Sequence, residues 1–155
     1  MRFGYTDLVE AKQHTEESSG WAENDEKTVQ KRVLVVDDDP SLGELLGHIF
    51  KLAGYQAVDI VESADSALRL FQPGRYSLVT TDLNMPKMNG LQLARTLKTS
   101  EASLPILLIS GSLEKADFTA EQLTSVDAML AKPFDVKELL AAIAKIVKGS
   151  QAITR

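Results

Sequence analysis

Four short stretches of this 155-residue chain carry residue types that can do chemistry together. The first is Asp37-Asp38-Asp39, which directly follows the apolar run Val33-Leu34-Val35-Val36. The second is Asp82, after another apolar run, with Asn84 two residues on. The third is Ser110 and the fourth is Lys132, each at the end of a further apolar stretch. Crowded carboxylates repel and raise one another's pKa, so such a cluster persists when a hard cation neutralises it. Oxygen ligands with no His or Cys among them select Mg²⁺, with Mn²⁺ as the alternative, over zinc or copper. Carboxylates, one ammonium and one hydroxyl are the parts a phosphoryl-transfer site requires. A carboxylate attacks phosphorus, and a cation and hydrogen-bond donors spread the charge on the equatorial oxygens.

Each residue also has a plain structural reading. The aspartates after Val36 could cap a helix and complement its dipole. Asp82 could be a turn residue, Ser110 a cap and Lys132 a solvated surface lysine. What sets these readings aside is the position the residues share, which depends on the elements that carry them.

Val33–Val36 is a β-branched run typical of a strand buried on both faces. Pro40 and Ser41 stand where a helix begins, Leu42, Leu45, Leu46, Ile49, Phe50 and Ala53 recur at helical spacing, and Gly54 stops it. Ala57–Val61 reads as a second strand. Ser63 caps a helix faced by Ala64, Ala67, Leu68 and Phe71. Tyr76–Thr81 is the third strand, and Gly90 leads into a helix faced by Leu91, Leu93, Ala94 and Leu97. Pro105–Ile109 is the fourth strand, Leu113–Leu123 a weaker helix, and Ala128–Ala131 a short fifth strand. Asp135 caps a last helix faced by Leu139, Leu140, Ile143, Ile146 and Val147, with Gly149 as its stop. Alternating strands and helices predict an α/β fold with a parallel sheet and right-handed helical crossovers. Ligands of such sheets bind outside the carboxyl ends of the strands. Asp37, Asp38, Asp82, Ser110 and Lys132 all follow predicted strands, so they should converge on one edge.

Composition bounds the rest. Apolar residues make up 44% and charged residues 25% of the chain, the balance of a globular domain. There is no cysteine, which excludes thiol nucleophiles, disulfides and zinc–thiolate sites. The net charge of −5 is not the footprint of a nucleic-acid binder, and no apolar run has the length to span a bilayer. No signal-peptide pattern opens the chain, so a cytoplasmic protein without membrane insertion is expected. Residues 1–30 are polar and lack a sustained period, and read as a disordered extension. The alternative is a partner-binding arm anchored by Phe3, Tyr5, Leu8, Val9 and Trp21. Residues 31–149 form the folded domain and 150–155 a short tail. With nothing after the last helix that can fold alone, a stand-alone domain is expected, the alternative being a domain excised from a larger protein.

The runs Val33-Leu34-Val35-Val36-Asp37-Asp38-Asp39-Pro40, Thr81-Asp82-Leu83-Asn84-Met85-Pro86-Lys87-Met88-Asn89-Gly90, Leu108-Ile109-Ser110-Gly111 and Lys132-Pro133-Phe134 resemble the receiver domains of two-component response regulators. The order and spacing match as well. The resemblance implies a flavodoxin-like, doubly wound, five-stranded parallel sheet of order 2-1-3-4-5 with five helices. It implies that Asp82 accepts a phosphoryl group from a histidine kinase or histidine phosphotransfer protein. Asp38 would bind Mg²⁺ directly, Asp37 mainly through water, and the backbone carbonyl of Asn84 would complete the protein ligands. Lys132 would pair with a phosphoryl oxygen, fixed by a cis-like Lys-Pro turn, and Ser110 would be drawn toward the phosphoryl group. The added charge would shift the face built from the fourth helix, fifth strand and fifth helix, and so signal to a downstream protein. Such a domain is a phosphoacceptor and not an enzyme in the ordinary sense. The sequence departs from the family's pattern at Met129, where an aromatic residue or histidine is usual, and at Ser125-Val126-Asp127-Ala128, where a glycine-alanine pair is usual.

Three other readings compete. Asp37-Asp38-Asp39 literally satisfies the Asp-x-Asp of haloacid-dehalogenase-like phosphatases, with Asp37 as nucleophile and Ser110 and Lys132 in supporting roles. That class also needs an acidic pair on a strand after its lysine, and only Asp135 and Glu138 follow; it leaves Asp82–Gly90 unexplained. A receiver-like interaction module that is never phosphorylated would have lost Asp38, Asp82 or Lys132. A flavin-binding domain would need a phosphate-cradling first loop, and an acidic loop repels phosphate.

Overall fold

The structure is a computed structural model, and it describes residues 31–113 and 118–153, with side chains to residue 147. Residues 1–30, and with them the expectation of a disordered extension, lie outside the described residues. The elements run β1 (Arg32–Val36), α1 (Pro40–Leu52), β2 (Ala57–Val61), α2 (Ala64–Leu70), β3 (Leu78–Asp82), α3 (Gly90–Ser100), β4 (Ile106–Ser110), α4 (Ala120–Leu123), β5 (Ala128–Ala131) and α5 (Val136–Ile153). The strands form one parallel sheet in the order β2-β1-β3-β4-β5, as the resemblance implied. Val36 pairs with Thr81, and Asp82 with Ile109, so the carboxyl ends of β1, β3 and β4 lie level.

Alternation along the strands builds two cores. Val33, Val35, Leu78, Leu107 and Ile109 face one side, covered by Leu46, Ile49 and Phe50 of α1 and Leu139, Ile143 and Ile146 of α5. Leu34, Val36, Val79 and Ile106 face the other side, covered by Ala64 and Ala67 of α2 and Leu93, Ala94 and Leu97 of α3. Each of the valines, leucines, isoleucines and the phenylalanine among them contributes about 1.5–3 kcal/mol on leaving water. Period 2 in the strands and period 3.6 in the helices thus meet on both faces. At the β2 edge of the sheet, Asp59 accepts a hydrogen bond from the Tyr76 hydroxyl at 2.7 Å and pairs with Arg32 at 3.0 Å. Burial, and then the Asp59 hydrogen bond, push the Tyr76 hydroxyl up to about 12.

The local signals account for the helix ends. Asp39 is the N-cap of α1, accepting from Ser41 N, and Pro40 occupies the first turn. Gly54 lies beyond the end of α1 with φ of 98°, a left-handed conformation that glycine adopts without a Cβ penalty. Ser63 caps α2. Asp135 and Glu138 exchange side chain–backbone hydrogen bonds at the start of α5.

Several boundaries differ from the sequence reading. β3 starts at Leu78 rather than Tyr76 and includes Asp82, and β4 starts after Pro105 and includes Ser110. Of the weak helix expected over Leu113–Leu123, Ala120–Leu123 is α-helical, and residues 114–117 lie outside the described residues. Its start is set by a reciprocal pair: Gln122 N donates to Thr119 Oγ1, and Thr119 N to Gln122 Oε1. Gly149 does not stop the last helix, which continues to Ile153. A helical glycine costs about 1 kcal/mol relative to alanine, which weakens the helix without breaking its ladder.

Candidate functional site

The strand ends bring the acids together. One carboxylate oxygen from each of Asp37, Asp38 and Asp82 lies within 4.8 Å of the others. Asp37 follows β1 and is buried, and its Oδ1 accepts from Asp39 N at 2.9 Å. Asp38 is exposed. Asp82 is the last residue of β3 and is buried. Burial is the main cause that raises the Asp82 carboxyl above the usual range, with Asp37 and Asp38 adding to it and Lys132 opposing it.

Lys132 comes from the far edge of the sheet, just after β5. Its Nζ lies 3.3 Å from Asp37 Oδ2 and 3.6 Å from Asp82 Oδ1. Its amide donates to Ser110 O at 2.9 Å, which ties it to the end of β4; the Lys132–Pro133 peptide is cis. Ser110 is fully buried at the end of β4. Its Oγ accepts from Ser112 N at 3.2 Å and shares a hydrogen bond with Ser112 Oγ at 3.1 Å. Asn84 is exposed, and its Nδ2 donates to Ser112 Oγ at 2.6 Å. Met129 lies on β5 opposite Leu108, half-buried, and packs with Leu113, Phe118 and Val126 against Leu83, Leu91 and Leu108. The structure therefore gathers Asp37, Asp38, Asp82 and Lys132 at one point, links Asn84 to Ser110 through Ser112, and sets Met129 on an adjoining apolar cluster.

Two contributors were not read from the sequence. Gly90 opens α3 where that helix meets the end of β3, and its amide donates to Leu83 O at 2.9 Å. A Cβ there would run into the carbonyl of Asp82 and come within 2.9 Å of Leu108 Cδ1, so only glycine allows this approach. The available signal was its place eight residues after Asp82 at a helix start. Asp127 is the second: its Oδ2 accepts from Lys98 Nζ and from Ile106 N, each at 2.8 Å, tying α3 to the start of β4. No pattern in the sequence announces that role.

The donor set fits a hard divalent cation. Three carboxylates meet in one place with one ammonium to offset them, an arrangement that a bound Mg²⁺ or Mn²⁺ would relieve. An anion arriving at Asp82 would meet the Lys132 ammonium, 3.6 Å from Asp82 Oδ1.

Comparison with known proteins agrees with this geometry. Residues 33–144 match the response regulator receiver domain family. The chain is 33% identical over 116 residues to the DNA-binding response regulator MtrA of Mycolicibacterium smegmatis, covering 75% of this chain and 50% of that protein. It is 36% identical over 120 residues to the response regulator protein FleR of Pseudomonas aeruginosa, covering 76% of this chain and 25% of that one. The chain thus spans half or less of the length of these two relatives. Among solved structures, the response regulator TrrA of Thermotoga maritima in complex with Mg²⁺ and BeF superposes with a TM-score of 0.67 at 32% identity, covering 75% of this chain and 98% of that one. The non-phosphorylated HemR receiver domain of Leptospira biflexa gives 0.65 at 30% identity, covering 76% and 94%. The fold and site define a doubly wound α/β domain with an acidic cluster at the carboxyl ends of its strands. This chain belongs to the response regulator receiver family.

Proposed function

We propose that the domain accepts a phosphoryl group on Asp82, in a reaction that depends on Mg²⁺ or Mn²⁺, from a histidine kinase or histidine phosphotransfer protein. The observation that carries this reading is the meeting of Asp37, Asp38 and Asp82 within 4.8 Å, with Lys132 3.6 Å from Asp82. An Asp82 carboxylate oxygen attacks phosphorus while the bond from phosphorus to the donor's leaving atom breaks, and the donor keeps that electron pair. Asp37, Asp38 and the Asn84 carbonyl are the residues that would join Asp82 in holding the cation. Once bound, the cation offsets the carboxylate charge and favours an ionised Asp82. Lys132 pairs with a phosphoryl oxygen, and the Ser110 hydroxyl donates to another.

The new charge at the end of β3 then biases the face made of α4, β5 and α5 toward a downstream protein. Leu123, Val136 and Leu140 are exposed on α4 and α5 and suit such a contact. Met129 on β5, lacking an aromatic ring, makes the coupling looser than an aromatic would. We assign the domain no direct contact with nucleic acid, since the chain carries a net charge of −5; DNA binding is stated for relatives whose length this chain covers only in part. We also place it in the cytoplasm as a phosphoacceptor rather than an enzyme, promoting only its own phosphorylation and slow dephosphorylation. Among the described residues no helix is long and apolar enough to cross a membrane.

The test is incubation with Mg²⁺ and acetyl phosphate, followed by intact mass. A phosphoryl adduct is expected for the parent and for Asp37→Asn at a reduced level, and none for Asp82→Asn. An adduct that persists in Asp82→Asn and disappears in Asp37→Asn would overturn the assignment.

A further inference from the structure

The hydrogen bonds around Ser110 carry an inference that rests on the receiver reading and extends it. Both hydrogen bonds described for its hydroxyl run to Ser112, at 3.2 Å from the amide and 3.1 Å to Oγ. Ser112 is held in turn by the Asn84 side chain at 2.6 Å. Asn84 lies two residues beyond Asp82, and Ser112 two residues beyond Ser110. The chain Asn84–Ser112–Ser110 therefore clasps the loop after β3 to the loop after β4.

The donors and acceptors give this clasp a direction. An amide nitrogen only donates, so Asn84 Nδ2 occupies one lone pair of Ser112 Oγ. Ser110 is fully buried and its hydroxyl proton needs an acceptor, which the second lone pair of Ser112 Oγ supplies. Ser112 is only half-buried, and water can accept its own proton. In this arrangement the proton of Ser110 is engaged with Ser112. To donate it to a phosphoryl oxygen, Ser110 must give up that bond.

We propose that Asn84 and Ser112 are positioning residues that act as an off-state latch, holding the Ser110 hydroxyl toward Ser112 until a phosphoryl group competes for it. Breaking the latch removes a competitor of the phosphorylated state. One net hydrogen bond corresponds to a roughly two- to tenfold change in an equilibrium constant.

The experiment measures the affinity of the full chain for beryllofluoride with saturating Mg²⁺, a stand-in for the phosphoryl group. Ser112→Ala and Asn84→Ala, which keeps the backbone carbonyl, should each bind roughly two- to tenfold more tightly than the parent. The double variant should bind no more tightly than either single one, since both cut the same chain. Ser112→Thr, which restores a hydroxyl, should return to parental affinity. In a Ser110→Ala background, Ser112→Ala should change nothing. In the metal-free protein, the NMR shift of the Ser112 amide should move in Ser110→Ala, which removes its acceptor, and should move in the same direction when beryllofluoride and Mg²⁺ are added to the parent. Weaker or unchanged binding in Ser112→Ala, or an effect of Ser112→Ala that survives in Ser110→Ala, overturns the latch while leaving the receiver reading intact. Absence of beryllofluoride binding by the parent overturns both.

Discussion

Strands β3 and β4 are buried along their whole length, whereas β5 is half-exposed and α4 buries no residue. The two regions are neighbours, since β5 pairs with β4 throughout. Yet they meet different demands. The central strands fix Asp82 and Ser110 at their last positions, where chemistry needs groups held to a fraction of an ångström. The edge presents a four-residue helix, a methionine and exposed leucines, and has little packing to resist a shift. Lys132 belongs to both regions: it leaves the loose edge and reaches back to the buried acids. On the proposed reading, a charge added at Asp82 would act on a rigid centre and be felt at a compliant edge.

The sharpest way to break this contrast is to make the same change in both regions. Leu108→Ala, in the centre of β4, should cost about 3 kcal/mol, because it leaves a cavity among Leu83, Leu91 and Met129. Leu123→Ala on α4 should cost less than about 0.5 kcal/mol, because that side chain is already exposed. Urea unfolding of both variants measures the difference. Similar losses at the two positions would mean that the edge is as firmly packed as the centre.

A smaller effect tests the electrostatics of the centre. Asp82→Asn in metal-free buffer should raise the melting temperature near neutral pH by roughly 3 °C, the scale on which about 1 kcal/mol moves the midpoint of a chain this long. The sign follows from burial and the neighbouring acids, which raise the Asp82 carboxyl. A raised carboxyl means that the folded state binds the proton more tightly than the unfolded state does. Its contribution is fully present below the unfolded value of about 4 and is lost as pH rises through the folded value. The advantage of Asp82→Asn should therefore shrink as pH falls toward that of an unfolded carboxylate. Saturating Mg²⁺ should reverse the order, since it stabilises the parent by binding the folded state alone. A melting temperature for Asp82→Asn below the parent's in metal-free buffer at neutral pH would show that the acids are not crowded.

Much of the centre was legible in the sequence, because burial on both faces writes continuous apolar runs. Val33–Val36 and Ile106–Ile109 could hardly be anything else, and the acids and the serine at their ends marked the working edge. The edge was harder to read. Leu113–Leu123 reads as a weak helix, and within it Thr119 and Gln122 form the capping pair that starts Ala120–Leu123. Gly149 looked like a stop, yet a glycine alone does not end a helix. The parts that stayed hidden are those that depend on distance rather than residue type. The closeness of Gly90 to the Asp82 carbonyl, the Asp127 tie between α3 and β4, and the hydrogen bond from Asn84 to Ser112 appear only when separate loops meet.

The most direct test of the central claim is to locate the phosphoryl group by chemistry rather than by mutation. After incubation with Mg²⁺ and acetyl phosphate, borohydride reduces an aspartyl phosphate to homoserine, which peptide mass spectrometry can place in the sequence. The account predicts homoserine at position 82 and at no other aspartate. Homoserine at position 37 instead would contradict it.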